Sequence, residues 1–161
     1  MARPWVVLVT DRSAVPDDAL AARIAAVASF PPEARARFVV MLRDRALSGR
    51  ELFARAAWLR GLTAPLGVRL CTNDRLDLAL AVGADGVHLG RTSVSVLDAR
   101  GLLGPRALVS VACHDASDLA KAQADGADLA LFSPVFDSPG KGPPRGLGAL
   151  ADAARKTGLN F

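Results

Sequence analysis

The chain has 161 residues, 51% of them hydrophobic, and carries 20 Lys and Arg against 16 Asp and Glu, a net charge of +4. That length and composition suit one domain with a substantial core, and the absence of an apolar run near ~18 residues argues against a membrane span. The cations are scattered among acids rather than stacked in a stripe, which argues against nucleic acid as a partner and leaves anionic small molecules compatible with the charge.

Six short, continuous apolar runs read as strands, each ending on a polar residue able to do chemistry. Residues 5–10 end at Asp11, ahead of a helical pattern over 17–28. Residues 38–42 end at Arg43, ahead of 48–62, where Ser48-Gly49-Arg50-Glu51 is a capping box. Residues 67–72 end at Asn73-Asp74, ahead of 74–82, with either residue able to cap that helix. Residues 85–87 lead to His88, and a helix over 94–103 follows. Residues 108–112 end at Cys113-His114, ahead of 115–124, with His114 or Asp115 as the cap. Residues 129–132 end at Ser133, and the last helical pattern covers 146–156.

Unbroken apolar runs fit parallel strands covered by helices. Polar groups at the carboxyl ends of successive parallel strands describe the active face of a β/α barrel. The segment 80–88 parallels 122–130, with Gly83 and Gly126 43 residues, or two β/α units, apart. In both copies a Gly able to adopt the left-handed conformation ends a helix. The position after the first strand reads Thr10-Asp11-Arg12-Ser13 rather than a Gly-rich dinucleotide fingerprint, which disfavours a doubly wound fold. The expected fold class is therefore α/β, a TIM-barrel-type (β/α) fold apparently truncated after six β/α units. Residues 1–161 are expected to form a single barrel-like domain lacking the last two units, with Leu159-Asn160-Phe161 where a seventh strand would begin. Open strand edges and apolar surface would then need covering, so a homodimer or swapped assembly is expected.

Cys71 and Cys113 lack disulfide or zinc spacing. The first four residues lack the apolar stretch of a signal peptide, so a cytoplasmic location is expected. Cys113 and His114 are adjacent strand residues pointing to opposite faces, which speaks against a nucleophile pair. His88 is expected to be structural, and Phe53, Trp58 and Leu59 to form the buried face of their helix.

The stretch Asn73-Asp74-Arg75-Leu76-Asp77-Leu78-Ala79-Leu80-Ala81-Val82-Gly83-Ala84-Asp85-Gly86-Val87-His88-Leu89-Gly90, together with Leu42-Arg43-Asp44-Arg45, Ser133-Pro134-Val135-Phe136 and Lys141, closely resembles the thiamine phosphate synthase family, which also includes the thiazole tautomerases. The resemblance runs over residues 7–154. It implies a β/α barrel that joins a pyrimidine methyl diphosphate to a thiazole phosphate and releases pyrophosphate. It further implies small phosphorylated substrates, a homodimer, and roles for Arg43, Arg45 and Lys141 on pyrophosphate, Asn73 beside it and Asp74 on Mg²⁺. These types suit the chemistry. Guanidinium forks and an ammonium take phosphate oxygens, and a carboxylate is the hard ligand Mg²⁺ prefers. Helix capping is the alternative role for Asp74.

Three positions depart from the family pattern. Ser93 stands where a second metal carboxylate is usual, Met41-Leu42-Arg43-Asp44-Arg45 replaces Gln-Leu-Arg-x-Lys, and Ala112 replaces a common serine. Mg²⁺ should be weakly held or absent if Ser93 has removed its second ligand. The tautomerase branch needs no metal, and there His114 would be the general acid/base; a capping or packing role is its alternative. A third reading is a non-catalytic remnant that binds a phosphorylated ligand or a partner.

Overall fold

The computed structural model describes residues 5–138 and 142–156. Lys141, assigned above to pyrophosphate, lies outside the described residues. In chain order the elements are β1 (Val6–Val9), α1 (Asp17–Ala26), α2 (Pro32–Arg35), β2 (Phe38–Leu42), α3 (Gly49–Thr63), β3 (Arg69–Asn73), α4 (Leu76–Val82), β4 (Gly86–Leu89), α5 (Val96–Leu103), β5 (Leu108–Cys113), α6 (Ala116–Ala124), β6 (Leu129–Phe132) and α7 (Gly146–Lys156). The alternation expected from the sequence is present throughout. Only α2, a single turn with Pro32 at its start, was not anticipated. The chain divides into two compact units, Met1–Val87 and His88–Phe161.

In the first unit β1, β2 and β3 are parallel, with Val6 opposite Phe38 and Val39 opposite Arg69. Phe38, Val40 and Leu42 alternate onto the helix-covered face of β2. There Val40, Leu42 and Leu70 join Leu20, Ile24, Ala56, Leu59 and Leu78 in one core. Val39 and Met41, on the other face, are each 2% exposed. Burial on both faces is the reason this strand reads as an unbroken apolar run.

The helix starts follow local chemistry. Ser48 and Glu51 form the expected reciprocal capping box at α3, with Ser48 N–H donating to Glu51 Oε2 at 2.8 Å. The buried stripe of α3 is Arg55, Ala56, Leu59 and Thr63. Phe53 is a correction. It is 48% exposed, because it falls off the 3.6-residue stripe that Ala56 and Leu59 define. The helix-capping expectation for Asn73 and Asp74 is also corrected, since α4 has Arg75 at its N-cap and no side-chain cap.

In the second unit β5 and β6 are parallel, with Ser110 opposite Leu129 and Cys113 opposite Phe132. The Ser95 hydroxyl accepts from Asp98 N–H at the start of α5. Asp115, not His114, caps α6 by accepting from Ser117 and Asp118 N–H at 2.9 Å. Those bonds hold the Asp115 carboxyl below its usual range.

The sequence repeat has one physical role, carried out once in each unit. Gly83 and Gly126 take φ +62° and +80°, values that only glycine adopts readily. The following Asp then clips onto the strand that precedes its helix. Asp85 N–H donates to Leu70 O while Leu70 N–H donates to the Asp85 carboxylate, both at 2.8 Å. Asp128 makes the same exchange with Val109, at 2.9 and 2.8 Å. A guanidinium completes each clip, Arg60 on Asp85 at 2.6 Å and Arg100 on Asp128 at 2.9 Å.

Candidate active site

In the first unit the polar strand ends gather side by side because three parallel strands in register bring their carboxyl ends together. Arg43, Asp44, Arg45, Asn73, Asp74 and Arg75 line one cavity of about 260 Å³. A second, of about 460 Å³, shares Arg43, Asp44 and Arg45 and adds Asp11, Arg12 and Ser13. Four of the residues assigned from the sequence, Arg43, Arg45, Asn73 and Asp74, are therefore brought together.

Arg43 and Arg45 are exposed, while Asp44 between them is buried. Asp44 accepts from the Thr10 hydroxyl at 2.9 Å, from Arg12 N–H at 2.8 Å, and from Arg55 Nε. Thr10 Oγ1 in turn accepts Arg43 N–H at 3.0 Å. One buried carboxylate thus ties the end of β1 to the end of β2. Arg55 also pairs with Asp17 at 2.5 Å. Burial alone would lower the Arg55 pKa, but the hydrogen bonds to Asp17 and Asp44 outweigh it and raise the value.

Arg75 is engaged by Asp77 through two hydrogen bonds, at 2.8 and 2.7 Å. The Arg75 guanidinium holds Asp77 at about 2. This pair is solvent-exposed and contributes little to stability. Among the described residues neither Arg43 nor Arg45 forms an ion pair. Asp11, facing Arg43, has its carboxyl lowered mainly by the Ser13 hydroxyl, with a smaller contribution from Arg43.

Among the described residues Asp74 is the non-glycine residue with a left-handed backbone, φ +61°. Asp tolerates this conformation better than most residues, at a cost of about 1–2 kcal/mol. The Asn73 amide donates to the Asp74 carboxylate at 3.0 Å. Among the described residues no three His, Cys, Asp or Glu side chains cluster as a metal site. Asp74 offers one carboxylate beside the guanidiniums of Arg43 and Arg45. That suits a Mg²⁺ ion whose other ligands are substrate oxygens and water, and does not suit a cation held by protein alone.

In the second unit His114 follows directly on β5. Its N–H donates to Asp118 at 2.8 Å, and its Nδ1 lies 2.7 Å from Ser133 O. A carbonyl can only accept, so Nδ1 carries the proton and Nε2 is the basic nitrogen of the neutral ring. The Ser93 hydroxyl accepts Gly90 N–H at 2.6 Å, closing the turn after β4. A cavity of about 400 Å³ is lined by Gly90, Arg91, Ser93, Ala112, Asp118 and Lys121, among others. His88 is buried with Nδ1 2.6 Å from Ser110 Oγ, in line with a structural role. Burial first, then Asp118 and Asp115, pushes the Cys113 thiol up to about 11, so at neutral pH it is a protonated core side chain rather than a nucleophile.

Sequence reasoning passed over Thr10, Asp44 and Arg55. The available signal was Arg55 itself, a charge on the same helical stripe as Ala56 and Leu59, which requires a buried counter-charge.

Parallel β/α units with cations and a carboxylate at the strand carboxyl ends define a TIM-barrel-type enzyme fold. Over 96% of this chain and 71% of the other, the structure is similar to thiamine phosphate pyrophosphorylase from Pyrococcus furiosus, with a TM-score of 0.79 at 24% identity. The chain belongs to the thiamine monophosphate synthase family, whose model matches residues 6–160. It is 40% identical over 117 residues to the thiamine-phosphate synthase of Methanoculleus marisnigri, covering 71% of this chain and 56% of that protein. It is 34% identical over 157 residues to the thiamine-phosphate synthase of Roseiflexus sp., covering 96% of this chain and 64% of that protein. The chain thus spans little more than half the length of the relatives it matches.

Proposed function

We propose that this chain carries the pyrophosphate-binding end of a thiamine phosphate synthase, which joins a pyrimidine methyl diphosphate to a thiazole phosphate and releases pyrophosphate. One observation supports this above the rest: Arg43, Arg45, Asn73 and Asp74 line a single cavity while the acid between the two arginines is turned inward. As the bond from the pyrimidine methylene to oxygen breaks, negative charge grows on the departing pyrophosphate. Arg43 and Arg45 donate to those oxygens and stabilise the charge where it develops. Asn73 orients the Asp74 carboxylate, and Lys141 adds a further cation on the strength of the family resemblance. Mg²⁺ on Asp74, when bound, supplies additional charge neutralisation. A homodimer and a cytoplasmic location belong to the same reading. Calorimetric titration with pyrophosphate in the presence of Mg²⁺ tests it: micromolar affinity is expected, and no binding at millimolar ligand would overturn the assignment. Ser93→Asp is expected to increase Mg²⁺-dependent product formation, because it returns a carboxylate to the position where the family usually has one.

A second reading, a metal-independent thiazole tautomerase, is favoured by one feature. Ser133 O holds His114 with Nε2 as the basic nitrogen, suited to taking and returning a ring proton. Under it, His114→Ala abolishes tautomerase turnover while leaving pyrophosphate affinity unchanged. Retained turnover in the variant removes His114 from the mechanism.

A further inference from the structure

We propose that Arg55 is a positioning residue that occupies the Asp44 carboxylate and thereby leaves Arg43 and Arg45 available to an anion. This inference rests on the reading of those two arginines as pyrophosphate ligands. Asp44 sits between them in sequence and lines both cavities that they line. A carboxylate there is a built-in competitor for the substrate, since the same guanidiniums that take phosphate oxygens take a carboxylate equally well. In the structure that competition does not occur. The Asp44 and Arg55 side chains are 3% and 5% exposed and joined to each other. Arg55 approaches from α3 rather than from the strand ends. It is itself held in place by Asp17 and by stacking over Trp58 at 5.4 Å. Removing its charge would leave Asp44 buried without a cation. Arg12, Arg43, Arg45 and Arg75 are the cations of the cavities that Asp44 lines, and Arg75 is already engaged by Asp77, so the carboxylate would recruit one of the other three and the cavity would lose positive charge.

Two readouts test this. The first needs no ligand. Phenylglyoxal modification of Arg43 and Arg45, followed by mass spectrometry, reports whether each guanidinium is engaged. Both are expected to react in the wild type, at least one of them to be protected in Arg55→Gln, and both to react again in Asp44→Asn/Arg55→Gln. The double change removes both members of a buried pair and so leaves no uncompensated charge. Arg55→Lys keeps a cation for Asp44 and is expected to label like the wild type; should Arg55→Gln not fold, Arg55→Met, which removes the charge and keeps the apolar stem, takes its place in both readouts. The second readout is pyrophosphate affinity. Arg55→Gln is expected to bind about tenfold more weakly, the scale of one charge-assisted hydrogen bond, with the double variant recovering most of the loss. Arginines equally reactive in Arg55→Gln and wild type overturn the proposal, as does a double variant that binds no better than Arg55→Gln. If labelling follows the expected pattern while the wild type binds no pyrophosphate, the positioning of the arginines by Arg55 stands and the pyrophosphate reading falls.

Discussion

Arg43→Ala is expected to weaken pyrophosphate binding by roughly 10- to 150-fold, the equivalent of about 1.5–3 kcal/mol for hydrogen bonds to a charged group. The substitution is informative because it removes the guanidinium without disturbing what holds the backbone. The bond from Arg43 N–H to Thr10 Oγ1 survives, as do the contacts of Asp44 with Thr10, Arg12 and Arg55. Stability should therefore hardly change, and the loss should be confined to affinity. Arg43→Lys is expected to recover only part of it, since an ammonium lacks the planar fork that matches two phosphate oxygens. Titrations at two salt concentrations add an independent check: the wild type should lose affinity with salt more steeply than Arg43→Ala, because an exposed charge contact is screened. Equal affinity for wild type and Arg43→Ala would remove this residue from the site.

Asp85→Ala is expected to lower the free energy of unfolding by about 1–3 kcal/mol, the cost of leaving a buried backbone donor without its acceptor. Leu70 is fully buried, and its N–H depends on the Asp85 carboxylate that takes it. The ion pair with Arg60 contributes little beyond this, since both side chains are about one-third exposed. Asp85→Asn keeps an acceptor oxygen and should cost less than half as much. Urea denaturation measures the effect as a lower midpoint at unchanged slope. Asp128→Ala should act likewise in the second unit, where Val109 is equally buried. A cost below 0.5 kcal/mol at both positions, the range of ordinary surface changes, would mean that the clips are incidental.

Much of this protein is legible locally. The continuous apolar run 38–42 is β2 with those bounds, the run 129–132 is β6, and the pattern 146–156 is α7. Ser48 and Glu51 form the box that their spacing requires, and Gly83 and Gly126 end their helices with the left-handed backbone that the repeat calls for. Each of these depends on residues within one turn of each other, or on the period of a single element. The strand-end residues Arg43, Arg45, Asn73 and Asp74 were legible for a related reason. Parallel connectivity puts every strand's carboxyl end on the same side, whatever the packing details.

What escaped depends on neighbours distant in sequence. Asp74 and Asn73 are chemically suited to capping α4, and only the chain's path, with Asp74 left-handed and Arg75 at the N-cap, removes them from that task. Phe53 is apolar enough for a core, but its angular position on α3 turns it to solvent. Asp44 looks like one more charged residue at a strand end until Thr10, 34 positions earlier, and Arg55, 11 positions later, close on it. The sequence by itself determined the alternation of strands and helices, the capping box of α3, and which polar residues stand at the strand ends, because these follow from periodicity and nearest-neighbour hydrogen bonding. Only the tertiary structure decided which of those charges face the cavity and which are neutralised inside, because a buried charge is tolerated solely where a partner from another element reaches it.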